Sequence, residues 1–159
     1  MESNELGFLL DELQKLRDRY IFATPRQRLK VANQRIKNPD AGANILVTTF
    51  SAVEAFARSL VLHSKKRPQI NVRKLYARYK DRTASTLIAE YLKIIDKDPI
   101  ALFGKDLWKT FKLAESYRNL LVHECTYLES IKFGPLTNSC NEVLKSLITI
   151  AKTNNHTHL

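Results

Sequence analysis

Glycine and proline are scarce in this chain, with four and five among 159 residues. That leaves long stretches without a residue that breaks a helix. No apolar–polar alternation of the strand type appears, and there is no internal repeat. No glycine-rich loop is present either, which excludes nucleotide binding of the P-loop kind. Two cysteines, Cys125 and Cys140, are too few for a disulfide framework or a cysteine metal site. They read as two buried free thiols in a reducing setting, with pairing left open should the fold bring them together. No run approaches the ~20 consecutive apolar residues of a membrane span. Met1, Glu2, Ser3, Asn4 and Glu5 lack the basic start of a signal peptide, and no cleavage site follows. The expectation is a cytoplasmic protein without membrane association.

What the chain does carry is charge of one sign. Lys and Arg total 26 against 16 acids, a formal net charge of +10. Such a surplus favours a polyanionic partner, RNA, DNA or an acidic protein, ahead of an anionic membrane surface. Hydrophobic residues make up 44% of the chain, which excludes a disordered polypeptide. The length suits one domain, residues 1–159, with a core over about 5–151 and a frayed tail over 152–159.

Apolar spacing predicts a first helix over 5–22, with Phe8, Leu9, Leu13, Leu16 and Tyr20 inward, ended by Pro25. A mostly polar second helix follows over 26–37, then a turn over 38–42. The strongest signal covers 43–63, where Leu46, Val47, Phe50, Val53, Ala57, Leu60 and Val61 form one broad stripe. Glu54 lies near that stripe, either as a satisfied core acid or as the partner of a buried arginine. Further helices are expected over 72–79, 83–95 and 105–123; Asp98 reads as an N-cap with Pro99 at the first helical position. Trp108 and Phe111 fall at core spacing in the helix over 105–123. Gly134 and Pro135 read as a break, with Thr137 or Asn138 capping a last helix through 151. The sum is an all-α antiparallel bundle of four or five main helices with short connecting helices.

Chemistry concentrates at residues 118–123, Arg-Asn-Leu-Leu-Val-His. Arg118 is a permanent cation with a planar fork suited to phosphate oxygens. His123 can take and give a proton near neutral pH. Asn119 can orient the histidine or donate to a phosphate oxygen. On a straight helix, however, positions 118 and 123 lie about 140° apart. Either the helix distorts or ends before His123, or two protomers complete one site. The bland alternative pairs Arg118 with Glu54, Glu115 or Glu124, and leaves His123 as a helix-end residue favoured by the macrodipole.

An arginine, a polar residue and a histidine five positions on, near the end of a late helix in a basic all-α chain, resemble the HEPN domains. The resemblance covers 5–151 by architecture and 118–123 by motif. It implies a metal-independent ribonuclease without cofactor, working as a homodimer on RNA. Its implied role is a toxin or phage-defence effector with a cognate antitoxin or activating protein. Arg118, Asn119 and His123 would be the catalytic set. One subgroup has tyrosine two residues after the histidine; here that position is Cys125 and the next tyrosine is Tyr127, so control by nucleotide transfer to that tyrosine does not carry over.

Lys65, Lys66, Arg67, Arg73, Lys74 and Arg78, with Tyr76 and Tyr79 among them, are candidates to follow an RNA backbone and stack a base; the alternative is a solvated basic face. Arg26, Arg28, Lys30, Arg35 and Lys37 carry the same two readings. Glu124 and Tyr127 are candidate pocket residues beside the motif, and His63 a candidate phosphate contact. His156 and His158 lack a third ligand nearby, and no metal site is expected. The rival functions are a non-catalytic HEPN-like module binding RNA or protein, and a helical adaptor whose basic face meets an acidic protein.

Overall fold

The fold is built around one apolar helix, α3 (Ala41–Lys65). Its Leu46, Phe50, Val53, Ala57 and Leu60 alternate at spacings of four and three, and Val61 follows four residues after Ala57, which brings all six to one side, and all six are wholly buried. Against that side pack α4 (Val72–Tyr79), α5 (Ala84–Ile94), α7 (Lys105–His123) and α8 (Phe133–Thr153). A five-residue helix, α6 (Pro99–Phe103), bridges α5 to α7. Ahead of these lie α1 (Ser3–Phe22), which packs on α7, and α2 (Pro25–Lys37). These elements come from a computed structural model that describes residues 3–38, 41–125 and 133–156; among them are eight α-helices and no strand. The all-α expectation is met.

The helix starts follow from side chains that satisfy otherwise unpaired N–H groups. Thr24 and Gln27 form a reciprocal capping box at α2. The Asn71 side chain accepts from Arg73 N and Lys74 N at 2.9 and 3.3 Å. Thr83 caps α5, and Asp98 accepts from Ala101 N at 2.9 Å ahead of Pro99. Gly104, at φ +81°, turns the chain sharply between α6 and α7, a backbone conformation that favours glycine.

An aromatic stack crosses the core. Phe103, Trp108, Phe111 and Phe50 follow one another with centroid separations of 5.6, 5.7 and 5.3 Å. Trp108 and Phe111 are therefore packing residues, as their spacing implied. Helix α1 is secured by buried Leu9, Leu13 and Leu16, and by the Tyr117 hydroxyl donating to the Leu9 carbonyl at 2.7 Å. Burial pushes the Tyr117 phenol well above its ordinary pKa.

Several expectations need correction. Phe8 is 62% exposed, because 9, 13 and 16 define the inward face and 8 falls beside it; the Tyr20 side chain lies outside the described residues. Ala41 and Gly42 belong to α3 rather than to a turn. Gly134 and Pro135 do not break the chain: α8 starts at Phe133, and a proline in the first turn loses only an N–H that has no helical partner. Thr137 and Asn138 thus lie inside α8 and are not its caps. Cys140 is buried, but Cys125 is only half-buried; both are free. At the tail, α8 runs to Thr153 and a closing turn follows through residue 156. Asn155 adopts φ +56°, His156 N donates to Ala151 O at 2.8 Å, and the Tyr91 hydroxyl meets His156 Nδ1 at 2.9 Å. That closing turn satisfies end-of-helix carbonyls, and the ring contact with Tyr91 holds it down. Finally, Gly42–Lys65 is long and apolar enough to cross a membrane by length and composition. Here its apolar stripe is covered by four neighbouring helices, and Glu54 and Arg58 interrupt it.

Candidate functional site

Arg118 projects from α7 toward α3. Its Nη2 donates to Glu54 Oε2 at 3.3 Å, and its Nη1 to Asn119 Oδ1 at 3.0 Å. The guanidinium carbon lies 5.4 Å from the centroid of the Phe50 ring, a cation–π contact. Glu54 is shared. Its other oxygen accepts from Arg58 Nη2 at 2.6 Å, one helical turn along α3, and Arg58 Nε reaches the Tyr79 carbonyl at 3.4 Å. Two guanidiniums around one carboxylate leave a formal charge of +1 between α3 and α7. The side chain of Arg118 retains 20% exposure and that of Arg58 15%. Arg118 Nε is buried without a hydrogen-bond partner among the described residues. Of the alternatives weighed for Arg118, the structure shows the pair with Glu54; Glu115 instead accepts from the Ser85 amide and hydroxyl at 3.2 and 2.7 Å.

His123 is the last residue of α7 and is exposed. No hydrogen bond or ring contact joins it to Arg118 or Asn119 among the described residues. The helix stays regular through His123, so the 140° offset stands and one protomer does not bring the two groups together. Asn119 turns to Arg118, not to the histidine.

The end of α7 is instead held by α2. Arg28 Nη1 reaches Glu124 at 2.7 Å, and Arg35 Nη1 donates to the Leu121 carbonyl. Glu124, expected to line a pocket, is thus occupied by Arg28, and Tyr127 lies outside the described residues. These contacts bring two of the five α2 cations to the motif's helix end. Nothing in the local pattern of α2 separates Arg28 and Arg35 from the other three, because contacts that join residues so far apart in sequence leave no periodic trace. The role of Arg58 was also unread, although its i,i+4 spacing from Glu54 on one helix was a usable signal.

The basic segment around α4 divides. Lys66, Arg67, Arg73, Lys74 and Arg78 are exposed, as is Tyr76 at 48%. Tyr79 is buried and cannot stack a base. Lys65 is engaged: its Nζ lies 2.5 Å from Glu90 and 5.5 Å from the Tyr79 centroid. The hydrogen bond to Glu90 holds the Lys65 ammonium above its usual pKa and the Glu90 carboxyl below its own. Arg67 folds back onto the Ser64 and Lys66 carbonyls at 3.1 and 2.7 Å. That leaves Lys66, Arg73, Lys74 and Arg78, with Tyr76, as the open basic surface. His63 is exposed on the last turn of α3. His156 packs on Tyr91, and His158 lies outside the described residues. Among the described residues no three His, Cys, Asp or Glu side chains converge as a metal site.

Comparison of the chain with family models, with curated proteins and with solved structures finds no match.

Proposed function

We propose that this chain is a HEPN-type endoribonuclease of the cytoplasm, active as a homodimer and independent of a metal. Its role would be that of a toxin or defence effector under the control of an antitoxin or activating protein. The observation that carries the reading is the pose of Arg118. Glu54, Asn119 and Phe50 fix it on three sides, it remains partly open, and an exposed imidazole follows five residues on. A guanidinium fixed before substrate arrives stabilises charge on phosphorus without reorganising in the transition state.

In the reaction, the ribose 2′-oxygen attacks phosphorus as a base takes its proton, and the bond to the 5′-oxygen breaks as an acid protonates that oxygen. The products are a 2′,3′-cyclic phosphate and a 5′-hydroxyl. Because His123 and Arg118 of one chain face apart, the working set draws on two copies around a two-fold axis, which also supplies separate acid and base histidines. Lys66, Arg73, Lys74 and Arg78 hold the backbone.

A second reading, a non-catalytic RNA-binding module, is favoured by one specific observation: Arg118 is ion-paired with Glu54 and makes no hydrogen bond to His123 among the described residues. The two readings part in one assay. A labelled RNA incubated with the protein in EDTA should be cut to cyclic-phosphate ends by the wild type and not by His123→Ala, with the DNA analogue left intact. Salt-dependent RNA binding without cleavage would select the second reading, and toxicity on bacterial expression that His123→Ala abolishes would support the first.

A further inference from the structure

Helix α2 has no buried residue. A thirteen-residue helix of this kind is marginal by itself in water; its capping box and the two arginine tethers to the end of α7 hold it. Those tethers also fix which way it faces. At 100° per residue, Arg28 and Arg35 point to the body of the protein, and Leu29 and Ile36 fall on a different side. They are 61% and 76% exposed. Along one flank of that apolar pair run Arg26, Lys30 and Lys37, which make no ion pair among the described residues, with Asn33 between the two sets. An open groove of about 600 Å³ follows the same flank, lined by Arg26, Leu29, Lys30, Asn33 and Lys37 among others. At the corner with α1, Ile21 and Phe22 add two more apolar side chains at 72% and 82% exposure.

We infer that this face of α2 is the docking surface for an acidic amphipathic helix of a partner protein. Two aliphatic anchors two turns apart, with a basic row beside them, complement a helix that presents apolar side chains at the same interval and carboxylates along one edge. Charge decides against a second copy laying its own α2 here, because the helix carries five cations and no acid. A nucleic-acid backbone uses the cations but gains nothing from Leu29, Ile36, Ile21 and Phe22. A lipid surface asks for a continuous apolar face, and two residues on thirteen do not make one. The inference stands apart from the nuclease reading, since it concerns binding alone.

The test is fluorescence anisotropy of a labelled synthetic helical peptide, leucine at every third and fourth position and glutamate elsewhere, titrated with the full chain. The wild type should bind, and more weakly as salt rises. The double variant Leu29→Asp, Ile36→Asp should weaken binding at least tenfold. So should the charge reversal Lys30→Glu, Lys37→Glu. Both pairs are exposed, and an unchanged circular dichroism spectrum confirms that the variants are folded. Arg73→Ala with Lys74→Ala, on α4, should leave peptide affinity within twofold. Failure of the peptide to bind, or equal binding by the α2 variants, overturns the proposal. So does α2-dependent binding of single-stranded RNA or of phosphatidylserine vesicles when the peptide does not bind.

Discussion

Replacing Arg118 by alanine should test the fold as much as the chemistry. The side chain makes one charged hydrogen bond to Glu54 at 3.3 Å and lies over the Phe50 ring at 5.4 Å. A hydrogen bond to a charged group is worth ~1.5–3 kcal/mol, discounted here because Arg118 is a fifth exposed and Glu54 keeps Arg58 at 2.6 Å. The cation–π contact adds ~0.5–1 kcal/mol. A total loss of about 2–3 kcal/mol follows, which lowers the melting temperature of a chain of this size by roughly 4–12 °C. His123 is exposed at a helix end, and His123→Ala should cost no more than about 0.5 kcal/mol. Thermal melts of both variants, followed by circular dichroism at pH 7, give the comparison. A double-mutant cycle with Glu54→Gln should return a coupling of about 1 kcal/mol to Arg118. An Arg118→Ala melt within a degree of wild type, or no coupling to Glu54, would refute the account of this cluster. The same numbers make His123→Ala the cleaner probe of the proposed ribonuclease activity, since a loss of cleavage in that variant would not be due to unfolding.

Burial pushes the Cys140 thiol up to about 12, whereas Cys125 is half-buried; a thiol reagent at pH 8 should therefore titrate one cysteine in the native protein and two after denaturation. Tyr117→Phe should cost about 1–2 kcal/mol by removing the donor to the Leu9 carbonyl, read as a lower urea midpoint with an unchanged slope. The Lys65–Glu90 pair should contribute a few tenths of a kcal/mol, because both side chains are about a third exposed. Glu90 titrates below its ordinary 4.5 and Lys65 above its ordinary 10.5, so the contribution holds between those limits. It fades as acid protonates Glu90 or as base deprotonates Lys65. The melting difference between wild type and Glu90→Gln should accordingly be flat from pH 6 to 9 and shrink below pH 4. If α4 binds RNA, Arg73→Ala with Lys74→Ala should reduce the salt slope of log affinity by about 2.

Most of the helices were legible in the sequence, because periodic apolar residues and capping side chains are local signals. Helix α4 over 72–79 and the Asp98 cap were read directly, as was the inward set of α3 except Val47, which is only half-buried at its edge. What misled was also local: Gly134 and Pro135 look like a stop, yet proline fits the opening turn of α8. The candidate site was half legible. Residues 118 and 123 stand out by type and spacing, and Glu54 was among the partners considered for Arg118. The choice among those partners depends on how α3 and α7 cross, which periodicity does not encode. The same holds for Lys65, whose capture by Glu90 joins α3 to α5, and for Arg28 and Arg35, whose partners lie on α7.

The run of rings from Phe103 through Trp108 and Phe111 to Phe50 ends under the Arg118 guanidinium. Trp108 is the one tryptophan in the chain. The molecule therefore contains its own optical reporter: an indole that can be excited selectively, linked by successive side-chain contacts to the arginine of the proposed site. Emission from that single fluorophore offers a label-free record of any event that shifts the α3–α7 crossing, whether a ligand, a variant or a second copy causes it.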